Sequence, residues 1–84
     1  MQKSVHSSDF GKLQRELRRM RQDAGLSQRA LASALDVPPS WVAKVETGER
    51  RIDVIEFVWF ANACGADAIA SLRRIIACQG GHKK

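Results

Sequence analysis

The stretch LSQRALASALDVPPSWVAKVETG (residues 26–48) decides the fold, because it contains two short helices with a sharp boundary between them. Ser27 is a good N-cap, since its hydroxyl can accept a hydrogen bond from a free backbone N–H. It predicts a helix over about 28–35 with three apolar residues inward: Leu31, Ala32 and Leu35. Asp36 follows, and aspartate tolerates the left-handed conformation that ends a helix better than most residues.

Two adjacent prolines mark the start of the next helix rather than breaking one. Pro39 suits the first helical turn, where its missing N–H costs nothing and its φ is already set. Pro38 keeps Val37 out of the helical region, so the chain is extended just before the helix. We therefore predict a helix over about 39–47 that ends at Gly48.

Before this pair, a longer helix is predicted from Asp9, with Gly25 as its C′ residue. Its apolar residues recur at steps of three and four: Phe10, Leu13, Leu17, Met20 and Ala24. Residues 1–8 are polar and without period, so we expect a flexible N-terminal arm.

Two further helices are predicted after the pair. Asp53 with Glu56 three residues later fits a capping box. The inward positions of the fourth helix are predicted to be Val54, Phe57, Val58, Ala61 and Cys64, with Gly65 ending it. A fifth helix over about 67–78 carries Ile69, Leu72, Ile75 and Ile76. The prediction is an all-α chain with one domain over 9–78 and a flexible tail over 79–84.

The composition limits the classes of protein that remain. The chain has 84 residues, 44% of them hydrophobic, which suits one small domain with a modest core. No apolar run reaches the roughly 18 residues of a membrane span, and the N-terminus has no signal-like apolar region, so we expect a cytoplasmic protein and no membrane partner. The net charge is +5, and residues 1–52 supply +4 of it, with ten basic against six acidic residues. This excess favours a polyanionic partner.

Catalytic and cofactor chemistry have no support in the sequence. No paired carboxylates, nucleophile with a base, or phosphate loop stand out, so we expect no enzyme. Cys64 and Cys78 lack the CxxC spacing of a metal site, and both histidines lie near the termini, so we expect neither a metal nor a cofactor.

Two short helices joined by a tight turn, in a basic half of the chain, form the layout of a helix-turn-helix. Helical geometry puts small or cationic side chains opposite the buried Val42 and Val45: Pro39, Ser40, Ala43, Lys44 and Thr47. Such a face can enter a DNA groove closely and offer a hydroxyl and an ammonium group. From periodicity alone, an ordinary amphipathic helix with a solvated side fits equally well.

The motifs RxxxGLSQ (Arg21–Gln28), LA (Leu31–Ala32) and VxxVExGERR (Val42–Arg51) occur in order, and the match continues through DVIEFVWFANACGAD to about residue 67. Over residues 10–67 the chain thus resembles the Cro/cI-type (XRE-like) helix-turn-helix family of phage and bacterial regulators. The resemblance implies a five-helix, lambda-repressor-like DNA-binding domain that is usually dimeric and acts on transcription.

The resemblance also implies roles for individual residues. The base-facing positions are Pro39, Ser40, Ala43 and Lys44. The positions near phosphates or at the flank are Gln28, Arg29, Trp41, Arg50 and Arg51. Arg21 and Glu46 match a structural pair that ties the first helix to the third.

The chain departs from the family where base contacts are made. Pro39 stands where a polar residue is common, and Ala43 offers only a methyl group. Direct readout therefore rests on Ser40 and Lys44, with Trp41 as a third candidate. Specificity is then expected to lean on half-site spacing and DNA shape. Trp41 stands where a small hydroxyl residue is usual. It either packs on Pro38 and shapes the turn, or contacts a phosphate or a thymine methyl.

Other surfaces leave alternatives open. Arg15, Arg18, Arg19 and Arg29 fit a solvated face as well as a phosphate-binding one. Trp59, with Ile55, Asn62, Ile75 and Ile76, fits a homodimer seam, although Trp59 also fits a cover for the fifth helix. The rival function is a protein-interaction module, such as an antitoxin or regulatory partner, that keeps the fold with weak or no specific DNA binding. Pro39, Ala43 and Trp41 favour this rival.

Overall fold

A computed structural model describes residues 8–77. Five α-helices follow one another there: α1 (Ser8–Asp23), α2 (Gln28–Leu35), α3 (Pro39–Thr47), α4 (Val54–Ala63) and α5 (Ala68–Ala77). Within that range the structure has no β-strand, and the all-α, five-helix prediction is confirmed. The predicted arm and tail lie outside the described residues, except that Ser8 already belongs to α1.

The predicted helix boundaries are confirmed by the capping contacts. The Ser27 hydroxyl accepts a hydrogen bond from the Ala30 N–H at 3.0 Å. Asp36 ends α2 in the left-handed region, with a φ of 59°. At α4 both halves of the capping box form, with the Glu56 N–H donating to Asp53 at 2.7 Å and the Asp53 N–H donating to Glu56 at 3.1 Å. Local chemistry therefore sets where α2 begins and ends and where α4 begins.

The core is built by α1, α2, α3 and α4. α2 packs on α3 and α4, while α1 packs on α3, α4 and α5. The buried apolar residues are Leu17, Met20, Leu31, Ala32, Val42, Val45, Phe57, Phe60 and Ala61. Because α3 lies between α1 and α2, its buried side is anchored and its other side is free for a partner.

Several inward positions predicted from periodicity are wrong. Three residues predicted to face inward are exposed: Ala24, Val54 and Val58. Phe60, which the prediction missed, is fully buried on α4, and Ser71 is fully buried on α5. The sequence of α4, VIEFVWFANA, is apolar on nearly every side, so periodicity alone does not choose its buried face.

No single helix within residues 8–77 is long and apolar enough to cross a membrane. α4 and α5 meet that criterion only as a pair, by length and composition, and the pair bends by 116° at the break between them.

A buried carboxylate ties α1 to α5. Glu16 accepts hydrogen bonds from Arg19 at 2.7 and 3.1 Å and from Arg74 at 3.1 Å. Arg74 also donates to the buried Ser71 hydroxyl at 3.2 Å. Burial alone would raise the pKa of Glu16, but the hydrogen bonds from Arg19, Arg74 and Ser71 outweigh it and lower that pKa. The carboxylate is therefore held in its charged form.

This network predicts a pH-dependent stability. The pKa of Glu16 is lower in the folded protein than its ordinary value of 4.5, so its contribution is complete above that value and is lost as the pH falls through the folded pKa. We expect Glu16→Gln to be less stable than wild type at pH 7, with the difference in unfolding free energy narrowing as the pH falls below 4.5. Urea unfolding at several pH values measures this. Glu49→Gln, at an exposed carboxylate, is the matched control, and a gap independent of pH would contradict the prediction.

Candidate nucleic-acid interface

One side of α3 faces solvent and offers few polar groups. Pro39, Ser40 and Lys44 are exposed, and Ala43 is half-buried between them. The opposite side is buried through Val42, Val45 and Glu46. The structure thus places the four residues predicted to face bases on one accessible surface. That surface carries one hydroxyl and one ammonium group that can reach a partner.

A buried carboxylate fixes α3 in place. Glu46 is 1% exposed and accepts hydrogen bonds from Arg21 Nε at 2.6 Å and Arg21 Nη2 at 3.0 Å. Arg18 Nη2 donates to the Glu46 carbonyl at 3.2 Å, and Arg21 Nη1 donates to the Leu26 carbonyl at 2.9 Å. The hydrogen bonds to Glu46 raise the pKa of Arg21, so its guanidinium stays charged. The two side chains predicted as a structural pair are therefore in direct, forked contact.

Gln28 joins the same cluster at the start of α2. Its amide nitrogen donates to Glu46 at 3.0 Å. An amide nitrogen carries two N–H groups, so one remains for another acceptor such as a phosphate. Arg29, the next residue, is exposed, and none of the hydrogen bonds or ion pairs found within residues 8–77 involves its guanidinium. The first turn of α2 thus presents two groups that are able to bind anions.

Trp41, Arg50 and Glu56 form a cluster beside α3, which we call the Trp41 cluster. The Arg50 guanidinium lies over the Trp41 ring, 5.1 Å from its centroid. Its two terminal nitrogens donate to the two Glu56 oxygens at 3.2 and 3.3 Å. Hydrogen bonds from Arg50 and from the Asp53 N–H lower the pKa of Glu56, so its carboxylate is charged. Trp41 is half-buried, and the Arg50 guanidinium is a cation–π partner of its ring. Packing of Trp41 on Pro38 and a contact with DNA both stay predictions.

The remaining basic residues of the interface and of α1 differ in their contacts. Arg51 is exposed, with its guanidinium 5.6 Å from the centre of the Phe10 ring. Arg19 is occupied by Glu16 and Asp23, and Arg18 lies within 3.9 Å of Glu46. Arg18 and Arg19, two of the four arginines that fit either a solvated or a phosphate-binding face, therefore belong to ion pairs within the protein.

A large apolar surface lies on α4 and α5. Trp59 is 56% exposed and Ile76 57% exposed, and the dimer seam suggested for these two residues stays a prediction. Ile75, also predicted for the seam, is instead partly buried against the core. The other large exposed apolar residues are Val54, Ile55, Val58, Ile69 and Leu72. Surfaces of this kind usually mark an interaction site.

Residues 8–77 contain no group of three or more His, Cys, Asp or Glu side chains able to hold a metal ion. Burial raises the pKa of the Cys64 thiol to about 11, so this cysteine stays protonated and behaves as a small apolar side chain.

The sequence did not reveal that two carboxylates, Glu56 and Glu16, bind arginine side chains. Glu56 was recognised only as half of a capping box, and Glu16 was not singled out. An arginine six residues before Glu56 was the available signal, but the distance between them depends on the loop between α3 and α4, which no periodicity describes.

Two short helices joined by a tight turn, with the second exposing a polar face, define a helix-turn-helix protein. A family model described as a helix-turn-helix domain matches residues 13–74. Among solved structures, an XRE-family like protein from Pseudomonas syringae pv. tomato str. DC3000 is 39% identical, with a TM-score of 0.82 over 89% of this chain and 92% of that one. The clp gene regulator ClgR from Corynebacterium glutamicum is 26% identical, with a TM-score of 0.74 over 83% and 91%. No curated protein sequence matches significantly.

The chain therefore belongs to the XRE-like helix-turn-helix family, as the sequence motifs predicted. In general terms it is a DNA-binding regulator.

Proposed function

We propose that this chain is a sequence-specific transcriptional regulator, acting as a repressor or autoregulator in the cytoplasm, that binds DNA as a homodimer with α3 in the major groove. The observation that carries the proposal is the accessible face of α3, with Ser40 and Lys44 exposed while Val42, Val45 and Glu46 anchor the other side. Membership of a family of DNA-binding regulators supports it.

In this proposal Ser40 and Lys44 contact base edges, and Pro39 and Ala43 allow close approach. Gln28, Arg29 and Arg51 bind phosphates, because each keeps N–H groups that no internal carboxylate occupies. Few base contacts are available, so the spacing of two half-sites and the shape of the DNA supply much of the specificity.

Removal of the Lys44 ammonium tests the assignment of α3. We expect Lys44→Ala to weaken binding to a selected operator duplex about fivefold or more, since one good base contact contributes roughly 1–3 kcal/mol. Fluorescence anisotropy with labelled duplex measures the dissociation constants. Lys12→Ala removes the same charge from the groove between α1 and α5 and is the control. Equal losses in both variants would indicate a general charge effect and contradict the assignment.

Dimerisation through the exposed apolar surface of α4 and α5 is the second part of the proposal. We expect Trp59→Glu to raise the dimer dissociation constant at least about tenfold, because an unpaired carboxylate in an apolar interface costs more than roughly 1.4 kcal/mol. Sedimentation equilibrium measures the constant. Gln22→Glu adds the same charge at an exposed position of α1 and should leave it unchanged. A Trp59→Glu protein that dimerises like wild type would contradict the seam.

A protein-interaction module with little specific DNA binding is the second candidate function. Two observations favour it: the sparse polar groups on α3, and the occupation of Arg50 by Glu56. Salt discriminates the two functions, because a phosphate-dominated complex weakens steeply as salt rises, whereas a Trp-anchored protein interface changes much less. A titration of mixed-sequence duplex DNA from about 50 to 300 mM KCl is the test, since Debye screening grows across that range.

A further inference from the structure

The Trp41 cluster contains Arg50, which the family resemblance places near the phosphates or at the flank of the DNA site. Three hydrogen bonds occupy the ends of the Arg50 guanidinium: two go to Glu56, and a third goes from Nη1 to the Arg51 carbonyl at 2.8 Å. The Trp41 ring covers one face of the same group. Three of the five guanidinium N–H groups and one face are therefore occupied before any DNA arrives, which leaves the Nε–H and one N–H of Nη2.

The carboxylate in this cluster is itself fixed. Glu56 Oε1 accepts the Asp53 N–H at 3.1 Å as part of the capping box of α4. Its side chain is 19% exposed, whereas that of Arg50 is 41% exposed. A DNA phosphate could take the forked end of the guanidinium only by displacing this pre-positioned carboxylate, and charge-assisted forked pairs are among the stronger hydrogen-bonded contacts.

We propose that Glu56 is a positioning residue that keeps Arg50 on Trp41 and withholds its charge from DNA, so that Arg50 makes no phosphate contact in the wild-type complex. This inference rests on the proposed DNA-binding function and adds that Glu56 limits the number of phosphate contacts. Glu56 lowers the sequence-independent, electrostatic part of the affinity, which is the part that scales with the number of phosphates neutralised.

The slope of log affinity against log salt counts these phosphates, at about 0.9 per contact. We expect Glu56→Gln to steepen that slope by about 0.9 on a mixed-sequence duplex, because Arg50 becomes free to bind a phosphate. Glutamine also serves at this position of a capping box, so α4 should keep its N-terminus. Circular dichroism of each variant checks the helix content.

Three matched variants make the test specific. Arg50→Ala alone should leave the wild-type slope unchanged, and Arg50→Ala combined with Glu56→Gln should return the slope to the wild-type value. Glu49→Gln removes the same charge from the loop that precedes α4, at a carboxylate that makes no recorded contact with the Arg50 side chain, and it should not add a phosphate contact. A role for Glu56 in capping alone would lower stability and leave the salt slope where it was.

Two results would overturn the inference. One is a shallower slope for Arg50→Ala in the wild-type background, since Arg50 would then contact a phosphate despite Glu56. The other is a Glu56→Gln slope equal to that of Glu49→Gln. Either result leaves the DNA-binding function intact, whereas wild-type protein without salt-dependent binding would overturn both.

Discussion

Replacement of Glu46 by alanine is expected to lower the free energy of unfolding by about 3–5 kcal/mol. Glu46 is 1% exposed, and its carboxylate accepts from Arg21 and Gln28. Without it, the Arg21 guanidinium, whose side chain is only 12% exposed, keeps its charge and loses its partner. A small domain is stabilised by roughly 5–15 kcal/mol in total, so the loss is a large share of its stability.

Urea unfolding followed by circular dichroism measures this loss, and thermal unfolding should show a fall in Tm of about 12 °C or more. Glu49→Ala is the control. Glu49 is exposed and lies three residues further along, so its replacement should change stability by no more than about 0.5 kcal/mol. Comparable stability of Glu46→Ala and Glu49→Ala would mean that the buried cluster does not hold α3 in place.

Phe60→Ala is expected to destabilise the protein by about 3–5 kcal/mol, because its ring is fully buried and the surrounding core cannot close the cavity completely. Phe60 lies among the core residues that α1, α2 and α3 contribute. Chemical unfolding at constant protein concentration measures the change.

Val54→Ala on the same helix is the matched comparison. Val54 is 76% exposed, although periodicity had predicted it to face inward. Its truncation should change stability by less than about 0.5 kcal/mol. A larger loss at Val54 than at Phe60 would show that α4 buries the other face, and the core described above would be wrong.

The contrast between these two residues shows which part of the fold was predictable. Helix ends were predictable because they depend on local groups: the Ser27 hydroxyl, the ring of Pro39 and the Asp53–Glu56 pair act within a few residues. The buried face of α4 was not. Both candidate faces include Phe57 and Ala61, and only packing against the other helices selects Phe60 over Val58.

In the candidate interface, too, some features could be predicted from the sequence and others could not. The exposed side of α3 followed from the spacing of Val42 and Val45, because helical geometry determines the opposite face. The pairing of Arg50 with Glu56 could not be predicted from the sequence. Glu56 lies beyond an irregular loop, and the contact depends on how that loop folds. Sequence motifs indicated the class of protein, whereas the partner of each basic side chain could be identified only from the folded structure.

The most direct test of the central claim is selection of bound sequences from random duplex DNA by the purified protein at about 150 mM salt, near physiological ionic strength. We predict enrichment of an inverted repeat with few sharply fixed bases under α3, and loss of that enrichment in Lys44→Ala and Ser40→Ala. Failure to enrich any sequence, with binding absent or uniform, would contradict a sequence-specific regulator and favour the protein-interaction module.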